Sequence, residues 1–551
     1  MGSTPEIGLL RWPSWRLHQR RQHIRSRYAR GRDAPPGAKA RSRPNGSCRN
    51  LRDPSAATGR SPVGAANEGQ PQDAASRMGV GPLHSIDEVA EGNEVMERRG
   101  RQEGITTEQA KGRTLRWQPL LPNLRRVNDA ARCSGQTRFT ALLHHVDVAA
   151  LERAFRRQRR TASPGVDRVT VAEYEQALES NLQHLHARVH SGQYWPKPVR
   201  RTYIPKSDGG LRPLGIPALE DKIVQGAVAE VLNAVYEADF LGFSHGFRPG
   251  RSPHSALAAL EKAVMTQRVN WVLDLDIRTF FDSVDHGWLV RMLGHRIADP
   301  RVLRLIERWL KAGILESGRW EPVEIGTPQG SGISPILANV FLHYAVDLWI
   351  HHWRRHHAAG QIIVCRYADD LAIGCQQEAD GKQLLAALTD RLKQFGLAVH
   401  EGKTRLIEFG RFAAARRAAA GQRRPETFNF LGFTHYCSKT RNGRFVVKRK
   451  TQAKRLVRKL KAIREDMLGR MHTPVREQHR WLRQVLRGHY QYYGVIFNYR
   501  ALRMFKDCVV RLWRKILGKR SQKGRVTWAS YNRLLTAFPL PEPVIHQAWH
   551  R

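Results

Sequence analysis

The sequence predicts an α+β chain, and three observations carry that reading. The segment Trp271-Val272-Leu273-Asp274-Leu275-Asp276-Ile277 alternates apolar and acidic residues. Two apolar runs, Ile362-Ile363-Val364-Cys365 and Leu371-Ala372-Ile373, flank Tyr367-Ala368-Asp369-Asp370. From Lys448 onward, cations interleave with Leu456, Leu460 and Ile463 at helical spacing. The first pattern has the period of a half-buried strand and the second reads as a hairpin; the third has the period of an amphipathic helix. An antiparallel sheet backed by helices, followed by a helical region, is an α+β arrangement.

Composition narrows the classes. The chain of 551 residues carries 92 Lys+Arg against 49 Asp+Glu, a formal net charge of +43. That excess implies a polyanionic partner, bound more weakly as salt rises. No apolar run reaches the roughly 18 residues of a membrane span, so no membrane partner is expected. The first 40 or so residues, roughly, hold no uninterrupted apolar stretch of a secretory signal. Cys48, Cys133, Cys365, Cys375, Cys437 and Cys508 are scattered, with no C-x-x-C pair. Their spacing fits a reducing, cytoplasmic location and argues against a zinc module.

Taken in order, residues 1–132 are rich in Arg, Gly, Pro, Ser and Ala and lack a periodic apolar pattern. They are expected to be disordered. Two readings stand: an RNA-binding arm, or upstream sequence translated from a start codon called too early. Phe139 to Thr170 shows a helical pattern through Leu142, Val146, Leu151 and Phe155. Lys206 and Arg212 flank a Gly-rich turn, Ser207-Asp208-Gly209-Gly210, where two cations can close over a triphosphate. In the 271–277 strand, Leu273, Leu275 and Ile277 share one face, and Asp274 and Asp276 the other. Gln329 lies between Pro328 and Gly330, in a stretch without regular structure. Asp369 and Asp370 form the tight turn of the hairpin.

Two adjacent carboxylates at a turn disfavour joint ionisation, and a divalent cation removes the penalty. The upstream strand could be an ordinary amphipathic strand with a solvated acidic face; beside the hairpin, one of its carboxylates and the hairpin's two would form a two-metal site for Mg²⁺. One ion would activate a primer 3′-hydroxyl and the other would neutralise leaving pyrophosphate. Such phosphoryl chemistry needs positioning and charge neutralisation, which rigid strands supply.

A longer series of blocks then carries a resemblance. In order they are Tyr203-Ile204-Pro205-Lys206 through Ile216-Pro217, Phe243 to Ser252, and Asp276 to Asp282. Gly326-Thr327-Pro328-Gln329-Gly330 and Ser334 to Asn339 follow. Tyr367-Ala368-Asp369-Asp370, Gly402-Lys403-Thr404 and Phe430-Leu431-Gly432-Phe433 complete the series. The chain resembles the reverse transcriptases encoded by bacterial group II introns, the intron-encoded maturases. The likeness runs from about Arg138 to near the C-terminus.

The resemblance implies a right-hand polymerase. Residues 138–185 would be an N-terminal extension of the fingers, 186–436 the fingers and palm, and 448–540 a helical thumb and maturase-specific domain. Asp276, Asp369 and Asp370 would be the catalytic carboxylates, and the Ile277 carbonyl a further metal ligand. Asp274 competes with Asp276 for the first role. The resemblance selects Asp276, because the family's Phe lies five residues later, at Phe281. Phe281 would gate the sugar against a 2′-hydroxyl, or serve as core like Phe280. Lys206, Arg212, Gln329 and Lys403 would contact the nucleotide, with Lys403 equally readable as a surface lysine. Arg455, Arg458 and Lys459 in the thumb, with Arg487, His489, Tyr490, Tyr492 and Tyr493, would bind RNA. Cations would hold phosphates there, and aromatic rings would stack on bases.

The implied function is RNA-directed DNA polymerisation together with assistance to intron splicing and mobility. The implied partners are group II intron RNA, a DNA target primer and deoxynucleoside triphosphates. The oligomeric state stays open, a homodimer included. No Cys/His cluster of an HNH endonuclease is visible, and none is expected. The alternatives are a polymerase-inactive splicing maturase and a reverse transcriptase serving defence or repair.

Overall fold

The computed structural model describes residues 121–205, 210–316, 318–327, 330–521 and 526–547. The expected basic arm up to residue 120 lies outside them. Helix α1 (Pro122–Cys133) buries Leu124, Val127, Asn128 and Ala131. Asn128 Nδ2 donates to the Ala234 carbonyl at 2.8 Å. This corrects the expectation of disorder up to residue 132. The apolar stripe is too sparse among Arg and Asn to stand out until its packing partner is known. The single helical pattern expected from Leu142 to Phe155 also breaks. Asp147 accepts from the Ala150 amide and starts α2 (Val148–Arg156). The turn before it is held by the buried Asp299 carboxylate, which accepts from the Leu142 and Leu143 amides.

Helices α3 (Val171–Glu175) and α4 (Leu178–His190) lead to β1 (Val199–Pro205) and β2 (Leu211–Ile216), an antiparallel pair. Helix α5 (Leu219–Tyr236) is apolar on most sides and runs through the main core. Helix α6 (Pro253–Thr266) is capped by Ser252 and precedes β3 (Trp271–Arg278). Asp285 and Asp299 cap α7 (His286–Gly294) and α8 (Pro300–Leu310). Strands β4 (Ile314–Glu316) and β5 (Arg319–Glu321) extend the first sheet to the order β2-β1-β4-β5, with β1 and β4 parallel. Helix α9 (Ser334–Leu342) passes through a π-helical turn, His343–Asp347, into α10 (Leu348–His356).

The second sheet positions the site. Strands β6 (Ile362–Tyr367) and β7 (Asp370–Cys375) form a hairpin, and β7 pairs antiparallel with β3. After α11 (Glu378–Lys393), β8 (Ala398–Val399) and β9 (Arg405–Glu408) both pair with the far side of β3. Leu273, Leu275, Ile277, Leu371 and Ile373 face the main helical core. The opposite face carries Val272, Ile363, Cys365 and Ala372, which join a second core with α6. That face also carries Asp274 and Asp276, since side chains alternate along a strand.

Beyond α12 (Ala413–Ala419) come three antiparallel strands, β10 (Thr427–Phe430), β11 (Phe433–Lys439) and β12 (Phe445–Thr451). Helices α13 (Ala453–Gly469), α14 (Val475–Tyr493), α15 (Tyr499–Leu517) and α16 (Trp528–Ala537) end the fold. They share a core centred on Trp513, whose Nε1 donates to Gln478 Oε1 at 2.9 Å. The expected α+β architecture is present. No helix among the described residues is long and apolar enough to cross a membrane.

Candidate active site

Asp276 on β3 pairs in register with Asp370 on β7. The two-residue turn of the hairpin is Ala368-Asp369, so Asp370 opens the strand instead of lying in the turn as expected. Ala368 has φ +56°, a left-handed conformation unusual for a residue with a side chain. The backbone of Gly246 fits directly against this turn. A Cβ at Gly246 would lie 2.3 Å from the Ala368 nitrogen. The Asp276 carbonyl accepts from the His400 amide at 2.8 Å, on the β8 side. Successive carbonyls of a strand point to opposite sides, so that of Ile277 faces the hairpin side.

Burial dominates the electrostatics, and crowding of like charge adds to it. Burial pushes the Asp370 carboxyl up to about 7, and Asp369, Asp276 and Asp274 add to the rise while Arg455 opposes it. Burial also raises Asp369, with Asp276 contributing, against the pull of Arg212 and Lys403. Asp274 rises to about 6, chiefly by burial, while Arg405 draws it down. The Lys403 ammonium lies 2.5 Å from Asp276 Oδ2, and Arg405 lies 3.7 Å from Asp274 Oδ2. Asp274 and Asp276 therefore have separate cationic partners. Sequence reasoning missed Arg405; its alignment opposite Asp274 on β9 appears only with the sheet register.

These donors suit a hard divalent cation. They are carboxylate oxygens plus one strand carbonyl, the ligand type Mg²⁺ takes while retaining waters. The raised Asp370 reflects burial first and its carboxylate neighbours second, and both are effects that a bound cation would offset. Among the described residues, no three His, Cys, Asp or Glu side chains are gathered closely enough to hold a metal ion by themselves. An open site that shares its ions with substrate phosphates does not require such a grouping.

Comparison with known proteins decides the family of this region. Residues 204–435 match the family model described as reverse transcriptase (RNA-dependent DNA polymerase). The chain carries a reverse-transcriptase domain. It is similar to the protein YkfC of Escherichia coli strain K12, 36% identical over 38% of this chain and 63% of that protein. It is similar to the group II intron-encoded protein LtrA of Lactococcus lactis subsp. cremoris, 41% identical over 30% of this chain and 27% of that protein. A putative COX1/OXI3 intron 2 protein of Saccharomyces cerevisiae is 35% identical over 30% of this chain and 19% of its own length. The chain is thus similar to one protein described as group II intron-encoded and to another described as an intron protein, and it spans less than two thirds of the length of these relatives.

Within the reverse-transcriptase domain, Arg212 is exposed on β2. Lys206 and Gln329 lie outside the described residues. Phe281 follows β3 in a short turn entered through Thr279, at φ +45°. Phe280 is buried, whereas Phe281 is half-buried against it, ring centroids 5.4 Å apart. The turn is pinned from the other side, because the Thr327 amide donates to the Phe281 carbonyl at 2.7 Å.

Beyond the domain, the expected RNA contacts divide. Arg455, Arg458, Lys459 and Arg487 are exposed. Arg455 Nη1 lies beside the Leu431-Gly432 turn, within 3.1 Å of where a Gly432 Cβ would sit. His489 and Tyr490 are corrected: both are core. Tyr490 is 2% exposed and its hydroxyl donates to the Pro541 carbonyl, while His489 stacks on Phe505 at 3.8 Å. A ring packed inside a helical core has no free face for a base. Tyr492 and Tyr493 are half-buried against Phe433, and the Tyr492 hydroxyl donates to the Leu431 carbonyl. They join α14 to the three-stranded sheet.

Proposed function

We propose that the protein is an RNA-directed DNA polymerase that binds group II intron RNA and assists its splicing and mobility. The observation that carries the polymerase reading is the in-register pairing of Asp276 with Asp370 beside Asp369, inside the reverse-transcriptase domain. The intron reading rests on the relatives' printed descriptions and on the net charge of +43. In this reading the five-stranded sheet is the palm, the four-stranded sheet belongs to the fingers, and α13–α16 form the thumb and maturase region.

The reaction joins a primer 3′-oxygen to the α-phosphorus of a deoxynucleoside triphosphate and breaks the bond from that phosphorus to the departing pyrophosphate. Asp276, Asp369 and Asp370, with the Ile277 carbonyl, would hold Mg²⁺. The ions supply activation of the hydroxyl and neutralisation of the leaving group. The chain's own residues do the remaining work. Lys403 occupies Asp276 in the free chain and is 62% exposed, so its ammonium is free to turn to a triphosphate. Arg212 extends from β2 with a planar donor fork suited to phosphate oxygens. Phe281 places a ring after the carboxylate strand, where it would exclude a 2′-hydroxyl.

Primer extension on an RNA template with Mg²⁺ tests the reading. The unaltered chain extends the primer, and Asp369→Ala with Asp370→Ala abolishes extension while keeping RNA binding. No extension by the unaltered chain, with tight RNA binding retained, rejects the polymerase in favour of a binding role.

A further inference from the structure

Behind the acidic face of the central sheet lies a polar network that the proposed chemistry does not use. Arg366 lies on β6, on the face opposite Asp370, and is fully buried. All five of its side-chain N–H groups are engaged. Nε donates to Asp347 Oδ1 at 2.6 Å, and Nη2 donates to Asp347 Oδ2 and to Ser244 Oγ. Nη1 donates to Asn339 Oδ1 at 3.2 Å and to the Ala368 carbonyl at 3.1 Å. Asn339 in turn donates through Nδ2 to the Gly246 carbonyl at 2.7 Å. Asp347 is also fully buried and ends the π-helical turn between α9 and α10.

Two features separate this network from ordinary packing. A buried ion pair is poor value for stability, because desolvating both charges offsets their attraction. Well-packed apolar residues would hold β6 against α9 at least as well. The network also converges on one place. Arg366 grips the carbonyl of Ala368, the residue held at φ +56°, and Gly246 presses on the amide of that same residue. The next two residues are Asp369 and Asp370. Strained backbone persists only where its surroundings over-determine it.

We propose that Arg366, oriented by Asp347, Asn339 and Ser244, is a positioning residue that locks the Ala368-Asp369 turn and so aims the Asp369 and Asp370 carboxylates. The proposal rests on the polymerase reading for its purpose, though not for its structural content. Lysine cannot replace Arg366, because an ammonium lacks the planar fork that reaches four partners.

The test uses the full chain in three variants: Arg366→Lys, the apolar pair Arg366→Met with Asp347→Leu, and the milder Asn339→Ala. Amide exchange at residues 368–371, Mn²⁺ binding without substrate, and kcat and KM for one nucleotide are read beside thermal unfolding. The apolar pair removes the buried charges together but leaves the Ser244, Asn339 and Ala368 acceptors without their donor, so it is expected to melt lower than the unaltered chain while still folding. Exchange at the turn should be faster by about tenfold or more, and Mn²⁺ affinity should fall about tenfold or more. kcat should drop on the order of a hundredfold with KM little changed. A folded pair variant with unaltered exchange and Mn²⁺ binding overturns the proposal. If the pair variant does not fold, exchange at the turn in Asn339→Ala decides in the same way. Should the unaltered chain prove unable to polymerise, the exchange measurement still tests the lock while the proposed function alone fails.

Discussion

His435 on β11 packs flat against Phe428, with ring centroids 4.8 Å apart, and is wholly buried. Burial, with Arg449 across the strand pair, lowers its imidazole to about 3. The unfolded chain takes up a proton near pH 6.5 and the folded chain does not. Stability from this residue is therefore complete above pH 6.5 and is lost as pH falls toward 3. His435→Leu should cost less at pH 5 than at pH 7.5, by about 2 kcal/mol. Urea unfolding at both pH values checks this, and an identical cost at both would contradict it. At the residue scale the acids were legible, because a carboxylate interrupting an apolar alternation stands out. Arg366 was not: it follows the apolar run Ile362–Cys365, and nothing in the sequence shows that its partners Asp347, Asn339 and Ser244 converge on it. His489 and Tyr490 were misread because aromatics among cations look alike whether they stack on bases or on each other.

At the scale of the element, the hairpin β6-β7 depends on the loop beneath it. Ser244 bridges to Arg366, the Arg366 amide donates to the Phe243 carbonyl, and the His245 amide donates to the Arg366 carbonyl. The loop is itself fastened by Arg248, which pairs with Glu237 and donates to the Leu241 and Ser244 carbonyls. The hairpin's outer strand thus has its open edge covered. Gly246→Ala would drive a Cβ into backbone, not into a movable side chain. We expect a stability loss of about 1–3 kcal/mol or more, measured by thermal or urea unfolding, with extension impaired beyond what the lost stability explains. Strand β3 could be read from alternation, and β6 and β7 from two apolar runs about a polar turn. The first helix and the start of α2 could not, since α1 gains its definition from α5 and the break at Asp147 depends on a local cap.

For the whole molecule, charge and architecture make separate statements. The net charge of +43 concerns the partner, not the fold. RNA affinity should fall by about a thousandfold or more between about 50 and 200 mM salt, as filter binding across that range would show. A flat response would mean that the cations on α13 and α14 do not hold a phosphate backbone. That a helical bundle follows the sheets could be read from where the hydrophobic period changes. The internal register could not be read in the same way, because β3 takes neighbours from distant stretches on both sides. That register brings Asp276 opposite Asp370 and gives Asp274 to Arg405. Single-nucleotide incorporation on an RNA template, comparing the unaltered chain with Asp276→Asn and Asp274→Asn, tests the central claim most directly. The account predicts that Asp276→Asn loses at least about a thousandfold in rate, while Asp274→Asn stays within about tenfold. Full activity in Asp276→Asn, or equal loss in both variants, would contradict it.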